Sequence, residues 1–169
     1  MVFIGIITDS KSEEDISNLL CYNKLLQKNN VIFITEANID NIKNVHFDTI
    51  IINSSFRKMD ELNGLLANSK NIVVNNDEEI NFEDMQLSNL NLITYGFNSK
   101  SSVTISSVTD DEVLICIQRN LCCNSGIVEV QEVKIENNNY YDVYDLIVVL
   151  VLFFMYSSTL DTIHIKGIK

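Results

Sequence analysis

Proline is absent from this chain of 169 residues, and glycine occurs only 5 times. No proline-rich or glycine/serine-rich linker divides it, so residues 1–169 are expected to form a single domain. A domain of that length buries about 70% of the surface its unfolded chain exposes, which leaves room for a sizeable core. Histidine occurs twice, and the 4 cysteines contain no C-x-x-C pair. No zinc-ligand spacing exists, and neither a Ser/His/Asp nor a Cys/His set can be assembled. Basic residues are scarce as well: 12 Lys+Arg stand against 23 Asp+Glu, a formal net charge of −11. Nucleic acid and anionic membrane are recognised by Lys/Arg clusters, so neither is expected as a partner. The acidity is read as favouring solubility.

Long hydrophobic runs are missing too. The run Leu146–Tyr156, LIVVLVLFFMY, has 11 residues, whereas a membrane span needs about 20. Asp142 and Asp145 stand just before it, and a buried helix is the expectation. No basic region precedes the apolar residues at the N-terminus, which therefore does not read as a signal peptide. A reducing cytoplasm is the expected compartment, with the thiols of Cys21, Cys116, Cys122 and Cys123 as small core residues, or loop thiols in the case of Cys122 and Cys123. Adjacent Cys122 and Cys123 do not readily meet disulfide geometry.

The composition is that of a folded protein, 46% hydrophobic and 21% charged. Val2–Thr8, Val31–Thr35, Thr49–Asn53, Ile72–Val74 and Leu92–Tyr95 are short, apolar and rich in β-branched residues. They read as buried strands. Ser10–Lys28 and Phe56–Ala67 carry apolar residues at helical spacing, and isolated Ile39, Ile42 and Val45 allow a short helix between the second and third strands. Ser12 with Asp15 has the form of a capping box, and Ser10 or Ser12 is expected to cap the first helix. Strands alternating with helices predict an α/β fold, a Rossmann-like, mainly parallel sheet flanked by helices.

The pattern changes in the C-terminal half. Val103–Val108, Glu112–Gln118 and Gly126–Ile135 are strand-like with no helix between them, and Thr109-Asp110-Asp111 reads as a hairpin turn. A small antiparallel sheet beside the parallel one is expected there. The apolar phase flips between Val130 and Val133, so Gln131-Glu132 reads as a bulge. Asn137–Asn139 is expected to form the N-cap region of a last helix, Tyr140–Ser157. Tyr140, Tyr141 and Tyr144 read either as an aromatic docking surface or as the edge of the core. Leu160–Lys169 reads as a short strand or a last turn.

Two stretches resemble the central domain of the Mur ligases, the ATP-dependent enzymes that add amino acids to peptidoglycan precursors. The fourth strand runs into Asn75-Asn76-Asp77-Glu78, similar to the family's Asn-Ala-Asp-Asp-like turn. The fifth continues as Ile93-Thr94-Tyr95-Gly96-Phe97-Asn98, similar to a later strand of the family. Asp48–Ser54 and Tyr140–Leu146 resemble further segments in the same order. The resemblance implies that Asn75, Asn76 and Asp77 lie on the nucleotide side, as a residual small-ligand site. The plain alternative is a strand-end turn, where Asn and Asp are favoured in any case.

The chemistry-bearing positions depart from that family. A phosphate loop needs glycines to turn amides inward, a Lys for the phosphates and Ser/Thr for Mg²⁺. Here the stretch reads Thr8-Asp9-Ser10-Lys11-Ser12-Glu13-Glu14-Asp15, without glycine. The family's acidic residue and His after the third strand are replaced by Asn53-Ser54-Ser55-Phe56-Arg57. His46 and His164 read as scaffold histidines. No catalytic residue, metal ligand or cofactor is therefore expected. The expectation is a non-catalytic Mur-ligase-like protein working through a protein partner or as a homo-oligomer. The alternatives are an accessory subunit of an ATP-dependent amide ligase, completed by a partner chain, and a generic Rossmann-like small-ligand-binding domain.

Overall fold

The computed structural model describes residues 2–23, 29–80, 82–124, 126–137 and 140–156. The expected element over 160–169, His164, Asn138, Asn139 and Ser157 lie outside them. In chain order, β1 (Val2–Ile7) leads into α1 (Ser10–Tyr22) and β2 (Asn29–Ile34). Then come β3 (Thr49–Ile52), α2 (Met59–Leu66), β4 (Asn71–Asn75) and β5 (Asn91–Gly96). The rest is β6 (Val103–Val108), β7 (Glu112–Ile117), β8 (Leu121–Cys123), β9 (Gly126–Val128), β10 (Gln131–Glu136) and α3 (Val143–Tyr156). A single 3-10 turn, Ile39–Asn41, stands where a short helix was allowed.

One 8-stranded sheet runs β10-β7-β6-β5-β4-β3-β1-β2. From β2 to β6 neighbouring strands are parallel, and β7 and β10 add antiparallel pairings at one end. The central strands are buried on both faces, which is why β3 and β4 read as continuous apolar runs rather than alternating ones. Alternate residues of those strands feed two cores. Ile51 and Val73 pack with α1 and α3 on one face. Ile50, Ile52, Ile72 and Val74 pack with α2, Ile39 and Phe47 on the other.

The antiparallel half differs from expectation in one respect. β6, β7 and β10 extend the main sheet, and the separate small antiparallel sheet is the β8–β9 hairpin. The expected strand Gly126–Ile135 is two strands. Its apolar phase flips at Gln131 because the chain leaves the hairpin and joins β7 there, so no bulge lies at Gln131-Glu132. An irregularity does occur in β6, between Ile105 and Ser107. The hairpin turn over 109–111 is as expected, with the Thr109 N–H donating to the Glu112 carbonyl at 2.9 Å.

Both long helices start one or more residues away from the expected caps. Asp9 caps α1, not Ser10 or Ser12: its Oδ1 accepts from the Lys11 and Ser12 amides at 2.9 and 3.0 Å. Asp9 leaves β1 with extended backbone, as an N-cap must, and the Ser12–Asp15 capping box does not form because Ser12 is already inside the helix. Asp142 plays the same part for α3, accepting from the Tyr144 amide at 2.9 Å. Asn137 grips Tyr141 instead, through bonds of 2.9 and 3.1 Å.

Helix α3 is apolar on nearly every side because it is sheathed by protein. Leu146 through Leu150 are fully buried. Among the described residues no helix is long and apolar enough to cross a membrane. Its far end is pinned to the sheet by Tyr156, whose hydroxyl meets Thr49 Oγ1 at 2.5 Å and donates to Asp48 Oδ2 at 2.7 Å. Leu150→Asp would bury an unpaired charge in this core and should cost about 4 kcal/mol or more. Urea denaturation of that variant is expected to show a collapsed midpoint; an unchanged midpoint would contradict the placement of α3.

Candidate functional site

In an open α/β sheet, the crevice for ligands forms outside the carboxyl ends of the strands, where strand order reverses. Here the reversal falls between β1 and β3: β1 is followed in sequence by β2 on one side, and the chain then returns to β3 on the other. Thr8 and Asn53 are the residues that leave those two strand ends.

Asn53 is buried and uses its whole amide. Its Nδ2 donates to Thr8 Oγ1 at 3.0 Å and to Asp145 Oδ1 of α3 at 3.1 Å. Its Oδ1 accepts from the Tyr95 hydroxyl of β5 at 2.5 Å. Asn75 of β4 donates from Nδ2 to the Asn53 carbonyl at 3.2 Å. One side chain thus knots the ends of β1, β3 and β5 to the last helix, with β4 bound to its backbone.

The turn after β4 closes on the same knot. Asn75 is buried, and its Oδ1 accepts the Asp77 N–H at 3.1 Å. The Asn76 N–H donates to the Tyr95 carbonyl at 2.7 Å. Asp77 is exposed, yet its Oδ2 accepts from the Phe97 N–H at 2.5 Å and from the Tyr144 hydroxyl at 3.0 Å. Gly96 is required here. Its φ is +144°, and a Cβ would lie 2.5 Å from Asp77 Oδ2. The Asn75 amide, the Asn76 N–H and Asp77 Oδ2 are thereby engaged within the chain.

Two buried groups at this end of the sheet have an unmet need, the Ser101 hydroxyl and the carboxyl of Asp145; the second is ionisable. It is 1% exposed, and its Oδ2 has no hydrogen-bond partner. Burial pushes its pKa up to about 7; the neighbouring Asp142 and Asp15 charges add to the rise, and Ser12 and Asn53 hold it back. Tyr144, beside it, is pushed up to about 12 by burial and by its bond to Asp77. On the opposite face, a cavity of about 140 Å³ opens beyond β3, lined by Ile52, Phe56, Met59, Leu62, Glu79 and Ile80.

The structure brings Asn75, Asn76 and Asp77 to one crevice with Asn53, Tyr95 and Asp145, which the sequence alone did not single out. Their signals were present: a polar residue ending the strand Thr49–Ile52, and a carboxylate inside an otherwise apolar helix. His46 is exposed in the loop before β3. Among the described residues no group of three or more His, Cys, Asp or Glu side chains is arranged to hold a metal. The cysteines are not the core residues expected: Cys21 and Cys122 are exposed, Cys116 and Cys123 are half-buried, the Cys123 thiol is pushed up to about 11 by burial, and none of the four is in a disulfide.

No protein-family model matches the sequence, and no curated protein sequence does. Among solved structures, the chain superposes on UDP-N-acetylmuramoylalanyl-D-glutamyl-2,6-diaminopimelate–D-alanyl-D-alanyl ligase from Acinetobacter baumannii, with a TM-score of 0.59. The fold is Mur-ligase-like. Sequence identity is 9%, and the match covers 95% of this chain but 44% of the ligase, so the likeness establishes the fold alone.

The raised pKa of Asp145 makes a signed prediction. A carboxyl whose folded pKa lies above its unfolded value near 3.9 binds more protons when folded. Its contribution is therefore greatest at low pH and falls as pH rises from about 4 to about 7, by roughly 2–4 kcal/mol in all. Asp40 and Asp48 are depressed and act in the opposite sense at more acid pH. Asp145→Asn keeps the acceptor for Asn53 and places a donor where Oδ2 has none. The difference in unfolding free energy between variant and wild type should grow in the variant's favour from pH 4 to 8. A difference independent of pH would refute the assignment.

Proposed function

We propose that this chain is a non-catalytic Mur-ligase-like scaffold that works through protein contacts, with a second protein or with itself. The observation that carries this reading is the cap of α1. In a phosphate-binding turn the free amides of the first helical turn point at the anion. Here the Lys11 and Ser12 amides already donate to Asp9 Oδ1, at 2.9 and 3.0 Å. A carboxylate belonging to the chain stands where a phosphate oxygen would be received.

Two further features favour the same reading. Glu13 lies in the first turn of α1, and Asp145 faces that turn across Ser12. A nucleoside triphosphate with its metal does not fit these residues, because carboxylates replace the donors it needs and repel its charge. Exposed apolar side chains give the chain surface for contacts instead: Phe97, Ile127 and Val130 are all more than half exposed.

Calorimetric titration with Mg-ATP tests the proposal. No binding at millimolar nucleotide is expected from the wild type. Glu13→Lys should not confer it, because Asp9 still occupies the amides and neither Asp9 nor Ser12 has glycine's freedom to form a cradle. Micromolar binding by either protein would return the chain to the nucleotide-using class.

A further inference from the structure

The aromatic residues at the mouth of the crevice are left without a task by the knot beneath them. Phe97 leaves the sheet after Gly96 and is 56% exposed. It is not loose: its N–H is held by Asp77 Oδ2 at 2.5 Å. Its ring meets Tyr144 edge-on, with centroids 5.8 Å apart and planes at 82°. Tyr144 in turn lies 6.5 Å from the buried Tyr95 ring. A fixed aromatic ring therefore presents a face to solvent.

Carboxylates surround this pair. Asp77, Glu78 and Asp142 are exposed, and all three act on the Tyr144 phenol. Among the described residues the ion pairs go elsewhere, to Asp40, Asp48 and Glu112. Beneath the surface the chain of contacts runs from Tyr144 through Tyr95 and Asn53 to Asp145. The surface is thus aromatic and anchored, with the exposed carboxylates of Asp77, Glu78 and Asp142 beside it.

We propose that it binds a cationic side chain, the guanidinium or ammonium group of a partner protein's Arg or Lys, over the Phe97–Tyr144 pair. A cation within about 6 Å of an aromatic centroid is attracted by the ring quadrupole. Asp142 and Glu78 supply the complementary charge, and a guanidinium can take a carboxylate in bidentate fashion. An acidic partner would be repelled, and a purely apolar one would strip water from unpaired carboxylates. This deepens the scaffold reading and rests on it, since it names the chemistry of the partner.

The test uses a fluorescent hexa-arginine peptide, followed by anisotropy with the full chain at about 0.15 M salt, where long-range attraction is damped. Wild type is expected to bind. Phe97→Ala and Phe97→Leu should each weaken binding about tenfold, because leucine keeps the bulk and loses the π face. Glu78→Gln should weaken it several-fold. The double variant Asp60→Asn/Glu61→Gln removes charge from α2, distant on the face of the sheet opposite α3, and should bind as wild type does. No binding by wild type, full binding by Phe97→Leu, or equal weakening by the distant pair would overturn the proposal. Mg-ATP binding at α1 would instead overturn the scaffold reading while leaving these peptide results in place.

Discussion

Everything at the functional end of this molecule depends on the side-chain amide of Asn53. An amide can donate twice and accept from two directions; this one donates to Thr8 and Asp145 and accepts from Tyr95. A buried polar group is tolerated only when it is paired, and a network of this kind fixes its members relative to one another. Three strand ends and a helix are thereby locked across the place where an open α/β sheet ordinarily leaves a crevice. The turn after β4 and the cap of α1 are held in the same way: Asn75 accepts the Asp77 N–H, Asp77 accepts from Phe97 and Tyr144, and Asp9 accepts the Lys11 and Ser12 amides.

The price of that closure is Asp145. Its Oδ1 is needed by Asn53, while its Oδ2 is buried with no donor. The carboxyl answers by holding its proton to about pH 7, with burial as the main cause. Charge is otherwise kept at the surface, where Asp48 pairs with Lys70 at 2.8 Å and Glu112 pairs with Lys134. The exposed ring of Phe97 stands beside the carboxylates of Asp77, Glu78 and Asp142, the feature on which the proposal of a cationic partner rests.

Much of the fold was legible in the sequence because it rests on local patterns. β-branched runs gave the parallel strands, helical spacing gave α1 and α2, and an 11-residue apolar run flanked by carboxylates gave a buried helix rather than a membrane span. What was not legible depends on contacts distant in sequence. Asn53 and Asp145 are 92 residues apart, so nothing near either one announces the pair. The strand over 126–135 was misread for a related reason: periodicity reports which face is buried, not which neighbour is paired, and Val128 and Val133 belong to different sheets. The cap of α1 was missed by one residue because Asp, Ser and Ser in sequence are all good caps. The choice was made by where β1 ends.

In the scaffold reading proposed above, Asp9 closes the first turn of α1 to phosphate. The backbone amide resonances of Lys11 and Ser12 report on it directly, in an NMR titration with inorganic pyrophosphate. Both are expected to stay in place to millimolar anion in the wild type and to shift only when Asp9→Gly frees them. Saturable shifts of both amides in the wild type would contradict it.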